Sequence, residues 1–157
     1  MGVKKTISRD TPLAELTLRK YEKPGVSGRE LVRKVCLSVG LLQPGDSRDV
    51  MVDVFMVLLE ADEPLTSVQV ERAVIKQRKD AGLPLLGIAP SNIRRQLLRL
   101  RDVMFVEKLG NDYRISENAT LSELFVEKIQ SFLLESTVKR VKEYLVAVDK
   151  EFLDKKA

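Results

Sequence analysis

Apolar residues along the chain recur at helical spacing in several blocks, and three blocks open with a hydroxyl residue followed three positions on by Glu or Gln. In such a capping box each side chain satisfies an exposed backbone N–H of the first turn, which is worth about 1 kcal/mol. Ser27 with Glu30 opens a helix carrying Leu31, Val32, Val35, Cys36 and Val39 to Gly40. Thr66 with Gln69 opens another, with Leu65 and Val70 placed for a hydrophobic staple, and Thr120 with Glu123 precedes Leu121, Leu124, Phe125 and Ile129. A fourth helix is expected after the Gln43-Pro44-Gly45 turn. Asp46 or Ser47 is its cap, Asp49 completes a partial box, and the apolar run Val50 to Leu59 ends between Glu60 and Glu63, before Pro64.

Nearer the start, Thr11-Pro12 favours a short helix through Leu13, Leu16 and Tyr21, although Leu16-Thr17-Leu18 also alternates as a strand does. Lys23-Pro24-Gly25 is a breaker. From Ala89 onward the period changes twice. Pro90 to Arg101 has Ile93, Leu97 and Leu100 on one helical stripe; Phe105 to Leu109 and Tyr113 to Ser116 then read as two strands about Gly110-Asn111-Asp112. The expected fold class is mainly α with one small β-hairpin.

Composition narrows the chemistry. There are no His and one Cys, so His-based acid–base pairs, Ser-His-Asp triads, His/Cys zinc clusters and intrachain disulfides are excluded. No Gly-rich phosphate loop is present, and no carboxylate pair is framed by apolar sequence; the charged residues are expected at solvent-facing helix positions. No catalytic residue, metal or cofactor is expected. Met1 to Asp10 lacks the apolar core of a leader, and the run Val54 to Leu59 is too short to span a bilayer, so a cytoplasmic protein without membrane segments is expected. Cys36, on an apolar stripe, reads as a core filler rather than a sensor thiol.

The net charge of +4 matters mainly through its placement. Arg94, Arg95, Arg99 and Arg101 occupy the helix at 90–101 with no acidic residue before Asp102. With Ile93 and Leu97 turned inward, about 100° per residue sends Ser91 and Arg95 outward, flanked by Asn92, Arg94 and Arg99. Such a helix fits a DNA major groove, where Arg binds guanine and Asn binds adenine in bidentate fashion. By contrast, Asp46, Asp49, Asp53, Glu60, Asp62 and Glu63 against Arg48 make the fourth-box helix and its exit net negative, so an electrically polarised chain is expected.

Taken together, residues 47–117 resemble the winged-helix domain of MarR-like and PadR-like bacterial and archaeal transcriptional regulators. The resemblance rests on a Thr66-capped helix; on Ser91, Ile93, Leu97 and Leu100 in a Ser-x-Ile-x-x-x-Leu-x-x-Leu pattern; and on Phe105, Val106, Glu107, Lys108, Tyr113, Arg114 and Ile115. It implies that Ser91, Asn92, Arg94, Arg95 and Arg99 face double-stranded DNA and that Lys108, Asn111 and Arg114 lie on or near a wing. Two features depart from the pattern. Met104 stands where such regulators usually carry Gly, so this turn is expected to close without a left-handed Gly. The link Gly82 to Ile88 is also long for a compact helix-turn-helix. Leu83 to Ile88 is read as a packing loop rather than an effector pocket, and Tyr113 as an anchor of the return strand.

At the carboxyl end Val138, Val141, Leu145, Val148 and Phe152 form a heptad stripe after Ser136, a local cap candidate. The stripe either packs on its own domain through Phe125, Ile129 and Phe132 or pairs with a second copy, and the resemblance favours a homodimer. The expected layout is an arm and accessory helix at 1–46, a winged helix-turn-helix at 47–117 and a helical dimerisation region at 118–157. The expected function is sequence-specific DNA binding in transcription regulation; the alternative is a protein-interaction or assembly module whose Arg face meets an acidic partner.

Overall fold

The computed structural model describes residues 22–43, 45 and 48–153. The expected Thr11-Pro12 helix and the Asp46 or Ser47 cap lie outside them. The chain is mostly helical with one small three-stranded antiparallel sheet. In order come α1 (Gly28–Ser38), α2 (Val50–Glu60), β1 (Leu65–Thr66), α3 (Ser67–Asp80), α4 (Pro90–Asp102), β2 (Val106–Leu109) and β3 (Asp112–Ile115). A single 3-10 turn at Ser116–Asn118 leads to α5 (Leu121–Leu124), a wide-turned π-helical stretch (Phe125–Leu134) and α6 (Glu135–Leu153). Residues 22–129 form one compact unit, and residues 130–153 belong to another.

Within 22–129 the core is built around α2, which is buried from Val50 to Phe55 and again at Val57 and Leu58. A helix apolar on every side has to be enclosed by others. Here α1 contributes Cys36, the turn after it Leu41 and Leu42, α3 Val70 and Val74, and α4 Ile93, Leu97 and Leu100. Phe55 stacks on Phe105 with ring centroids 5.8 Å apart. Burial pushes the Cys36 thiol up to about 11 against nearby arginines, so it stays protonated at neutral pH and acts as core filler. α1 thus completes the core of this compact unit.

Two expected capping boxes form in full, Thr66 with Gln69 and Thr120 with Glu123. The Ser27 box does not: Ser27 makes no side-chain cap bond, and Gly28 enters α1 at φ 60, outside helical backbone geometry. The Asp49 carboxylate, at the N-cap of α2, is likewise absent from the helix N–H groups because arginines take it, as described below. Ser136 caps nothing, as helical backbone runs into it from the preceding residues.

The hairpin pairs Val106 with Ile115, Glu107 with Arg114, Lys108 with Tyr113 and Leu109 with Asp112. Its loop is Gly110-Asn111, with positive φ at Gly110 alone, as a type II′ turn requires. Leu65 and Thr66 add a third strand against Tyr113 and Asp112, making β3 central, with Tyr113 buried as an anchor. This strand is not apparent in the sequence, where Leu65 reads only as half of a staple.

Three helices end alike. The third residue past each helix donates to a carbonyl in its last turn: Leu41 N to Cys36 O, Leu83 N to Arg78 O and Phe105 N to Leu100 O. That closure needs a left-handed residue between, supplied at the first two ends by Gly40 and Gly82. At the third the residue is Met104 with φ 66, so the turn closes without a left-handed Gly, as expected, by placing Met104 itself in the left-handed region. The buried pair Leu100 and Phe105 holds the closure shut, at a conformational cost of about 1–2 kcal/mol.

Candidate nucleic-acid interface

The elements that place α4 are held by charge. Asp49 and Asp53 stand one turn apart on α2, and Arg29 and Arg33 one turn apart on α1. Arg29 lies 2.6 Å from Asp53 and 2.8 Å from Asp49, and Arg33 lies 3.1 Å from Asp49. Arg78 of α3, its side chain 3% exposed, reaches Asp53 at 2.5 Å and Asp49 at 3.2 Å, while Gln77 donates to Asp53 at 2.9 Å. Desolvation pushes the Asp49 carboxyl up, but hydrogen bonds and charge from Arg29 and Arg78 outweigh it and hold the group below the ordinary carboxylate range. The network corrects two expectations. Asp53 is fully buried rather than solvent-facing, and Asp49 and Asp53 are neutralised rather than part of an acidic face.

Arg78 also donates from Nε to Pro84 O at 2.7 Å, and Asn92 donates to Gly87 O at 2.6 Å. The long link before α4 is therefore fixed at both ends. Pro90 starts α4 after an extended Ala89, and Ile93, Leu97 and Leu100 are wholly buried. This phase turns Ser91, Arg94 and Arg95 to solvent, where among the described residues they enter no hydrogen bond or ion pair.

Asn92 and Arg99, expected to flank that face outward, are half-buried and engaged within the molecule. Gln96 donates to Asn92 Oδ1 at 3.0 Å, Arg99 donates to Gln96 Oε1 at 3.1 Å, and Arg99 also donates to Leu41 O at 2.8 Å. The three side chains make a polar ladder beside the apolar stripe, from the Gly87 loop to the turn that follows α1. Its signal was present in the sequence: Asn92, Gln96 and Arg99 repeat the spacing of Ile93, Leu97 and Leu100, displaced by one residue.

On the hairpin, Lys108 is exposed, with Nζ 5.6 Å from the centroid of the Tyr113 ring, and Asn111 is exposed at the tip. Arg114 is half-buried and donates from Nε to its cross-strand neighbour Glu107 at 2.6 Å, so its charge is already matched. The Glu117 backbone N–H, together with Arg114 and against partial burial, holds the Glu107 carboxyl below its ordinary range. A depression of about 380 Å³ brings Arg101 and Lys128 beside Lys108, next to the exposed Leu98 and Met104. Neither Arg101 nor Lys128 was among the expected contact residues. A cleft of about 880 Å³ lies elsewhere, between the exit of α2 and α3, and is rimmed by Glu60, Asp62, Glu63 and Asp80.

In the second unit, Val138, Leu145, Val148 and Phe152 of α6 are exposed and Val141 is half-buried. Among the described residues no helix is long and apolar enough to cross a membrane. Comparison with protein-family models, with curated proteins and with solved structures finds no match.

Proposed function

We propose that this protein is a sequence-specific, double-stranded DNA-binding transcriptional regulator of the cytoplasm, with residues 47–117 acting as a winged helix-turn-helix. On this reading α4 enters the major groove and the hairpin at 105–116 meets the backbone. The observation that carries it is the rigid outward presentation of Ser91, Arg94 and Arg95, two of them cations with no carboxylate partner, on a helix whose opposite face is wholly buried. The succession of helix, helix, strand, helix, helix and hairpin supports the same reading. Base readout falls to Arg94 and Arg95. Asn92 and Arg99 act chiefly by aiming the helix, and Lys108 and Asn111 contact phosphates with less help from Arg114. A homodimer joined through Val138, Val141, Leu145, Val148 and Phe152 would set two copies of α4 about 34 Å apart on a pseudo-palindromic site.

A gel-shift titration on duplexes selected from a random pool tests the proposal. Arg95→Ala is expected to cost about 1–3 kcal/mol of binding and to relax the preference at one base pair. Parent-like binding by both Arg94→Ala and Arg95→Ala would remove this mechanism. The exposure of Leu98, Met104 and Leu109 beside the basic residues favours a second reading, a module that docks an acidic protein. That reading requires a co-purifying partner and no salt-sensitive duplex binding. For the dimer, Val141→Glu with Leu145→Glu should halve the sedimenting mass.

A further inference from the structure

Arg48, just before α2, is brought against α4, a placement that no local residue pattern indicates. It lines a surface cavity of about 590 Å³ together with Leu85, Leu86, Gly87, Ile88, Ala89, and Ser91, Asn92 and Arg95 of α4. Two exposed arginines from segments far apart in sequence thus share one concave surface with the Ser91 hydroxyl, and among the described residues neither arginine enters an ion pair. Leu85 and Leu86, exposed at 39% and 50%, form an apolar wall beside them instead of packing into the core. The shelf is kept in place by the two fixings of the link, Arg78 to Pro84 O and Asn92 to Gly87 O. Gly87 is set close as well, since a Cβ there would meet Asn92 Nδ2 at 3.1 Å and Val50 Cγ1 at 3.3 Å.

We infer that Arg48 is a further contact residue: it binds a backbone phosphate of the duplex that α4 reads, with Leu85 and Leu86 lying against the adjacent sugar edges. The inference rests on the reading of α4 as a DNA-binding helix. A duplex is favoured over an acidic protein as occupant by charge complementarity along a run. Arg48 and Arg95 bring two unpaired cations onto one concave surface from separate segments, and a polyanion with regularly spaced charges matches such a surface without any particular carboxylate being placed for it. A phosphate contact adds affinity without sequence preference, whereas Arg95 on α4 is the residue that discriminates.

The test is binding of the full-length parent, Arg48→Ala, Arg48→Lys and Arg95→Ala to a fluorescent mixed-sequence duplex and to a duplex selected from a random pool, each across a salt series. Loss of one phosphate contact flattens the plot of log K against log salt by about 0.9. A fourfold rise in salt should therefore weaken Arg48→Ala about 3.5-fold less than the parent. The ratio of selected to mixed-sequence affinity should be unchanged in Arg48→Ala and reduced in Arg95→Ala, and Arg48→Lys should keep the parental slope. A parental slope for Arg48→Ala alongside weakened Arg95→Ala overturns the Arg48 contact and leaves the α4 reading intact. Absence of salt-sensitive binding by the parent, or capture of an acidic protein that needs Arg48, overturns both.

Discussion

Arg78 sits between Asp49 and Asp53 with almost no exposed surface, whereas Arg95 stands in solvent with no carboxylate beside it. The two differ in what they hold in place. Arg78 joins α2, α3 and the link before α4, and its charge has no reach beyond the molecule because two carboxylates and a carbonyl consume it. Arg95 joins nothing within the chain, and its field is available to whatever approaches. Asp49 and Asp53 are thus spent on other arginines, while Arg94 and Arg95 meet no carboxylate where α4 emerges.

The sharpest way to break this contrast is to remove one member of the buried network. Asp53→Ala leaves Arg78 desolvated and short of its main partner, and should cost about 3–5 kcal/mol in urea unfolding. Next comes Arg99→Ala, which gives up a charged hydrogen bond to Leu41 O and one to Gln96 and should cost about 1.5–3 kcal/mol. Arg95→Ala on the same helix should stay within about 0.5 kcal/mol of the parent, and equal melting temperatures for the two variants would erase the distinction between aiming and contacting residues. Met104→Gly should gain about 0.5–1 kcal/mol, since left-handed backbone strain is relieved and the exposed side chain takes little packing with it.

Smallest is the effect of acid. Asp49 and Glu107 have folded pKa values below their unfolded ones, so their stabilisation is complete above the ordinary carboxylate range and fades as pH falls through the lowered values. Chemical unfolding should show stability level near neutrality and dropping below about pH 4, with a shallower fall in Asp49→Asn.

How much of this was readable beforehand follows from how local each cause is. The stop of α2 before Pro64, the Thr66 and Thr120 boxes, the phase of α4 and the Gly110 turn all depend on residues within a few positions of one another, and they lie where the sequence places them. Strand β1 depends on a partner at Tyr113, beyond the reach of a periodicity argument. The Ser27 box failed through the backbone of Gly28, which no side-chain pattern reports. The charge network was half visible: Arg29 with Arg33, and Asp49 with Asp53, are ladders of equal spacing and opposite sign, but only packing α1 on α2 brings them together. At the candidate site the outward direction of Ser91, Arg94 and Arg95 was legible. Whether a flanking side chain finds a carbonyl within reach, as Arg99 finds Leu41 O, was not, because a helical wheel gives angles and no neighbours.

The ladder of Asn92, Gln96 and Arg99 makes α4 resistant to rolling about its own axis. It is bolted at the Gly87 carbonyl near one end and at the Leu41 carbonyl toward the other, both on the same flank. A twist of a few tens of degrees, enough to swing Arg95 from one target to the next, has to strip both bolts together. Alterations in the turn that follows α1, remote in sequence, are thereby coupled to the bearing of the guanidinium groups.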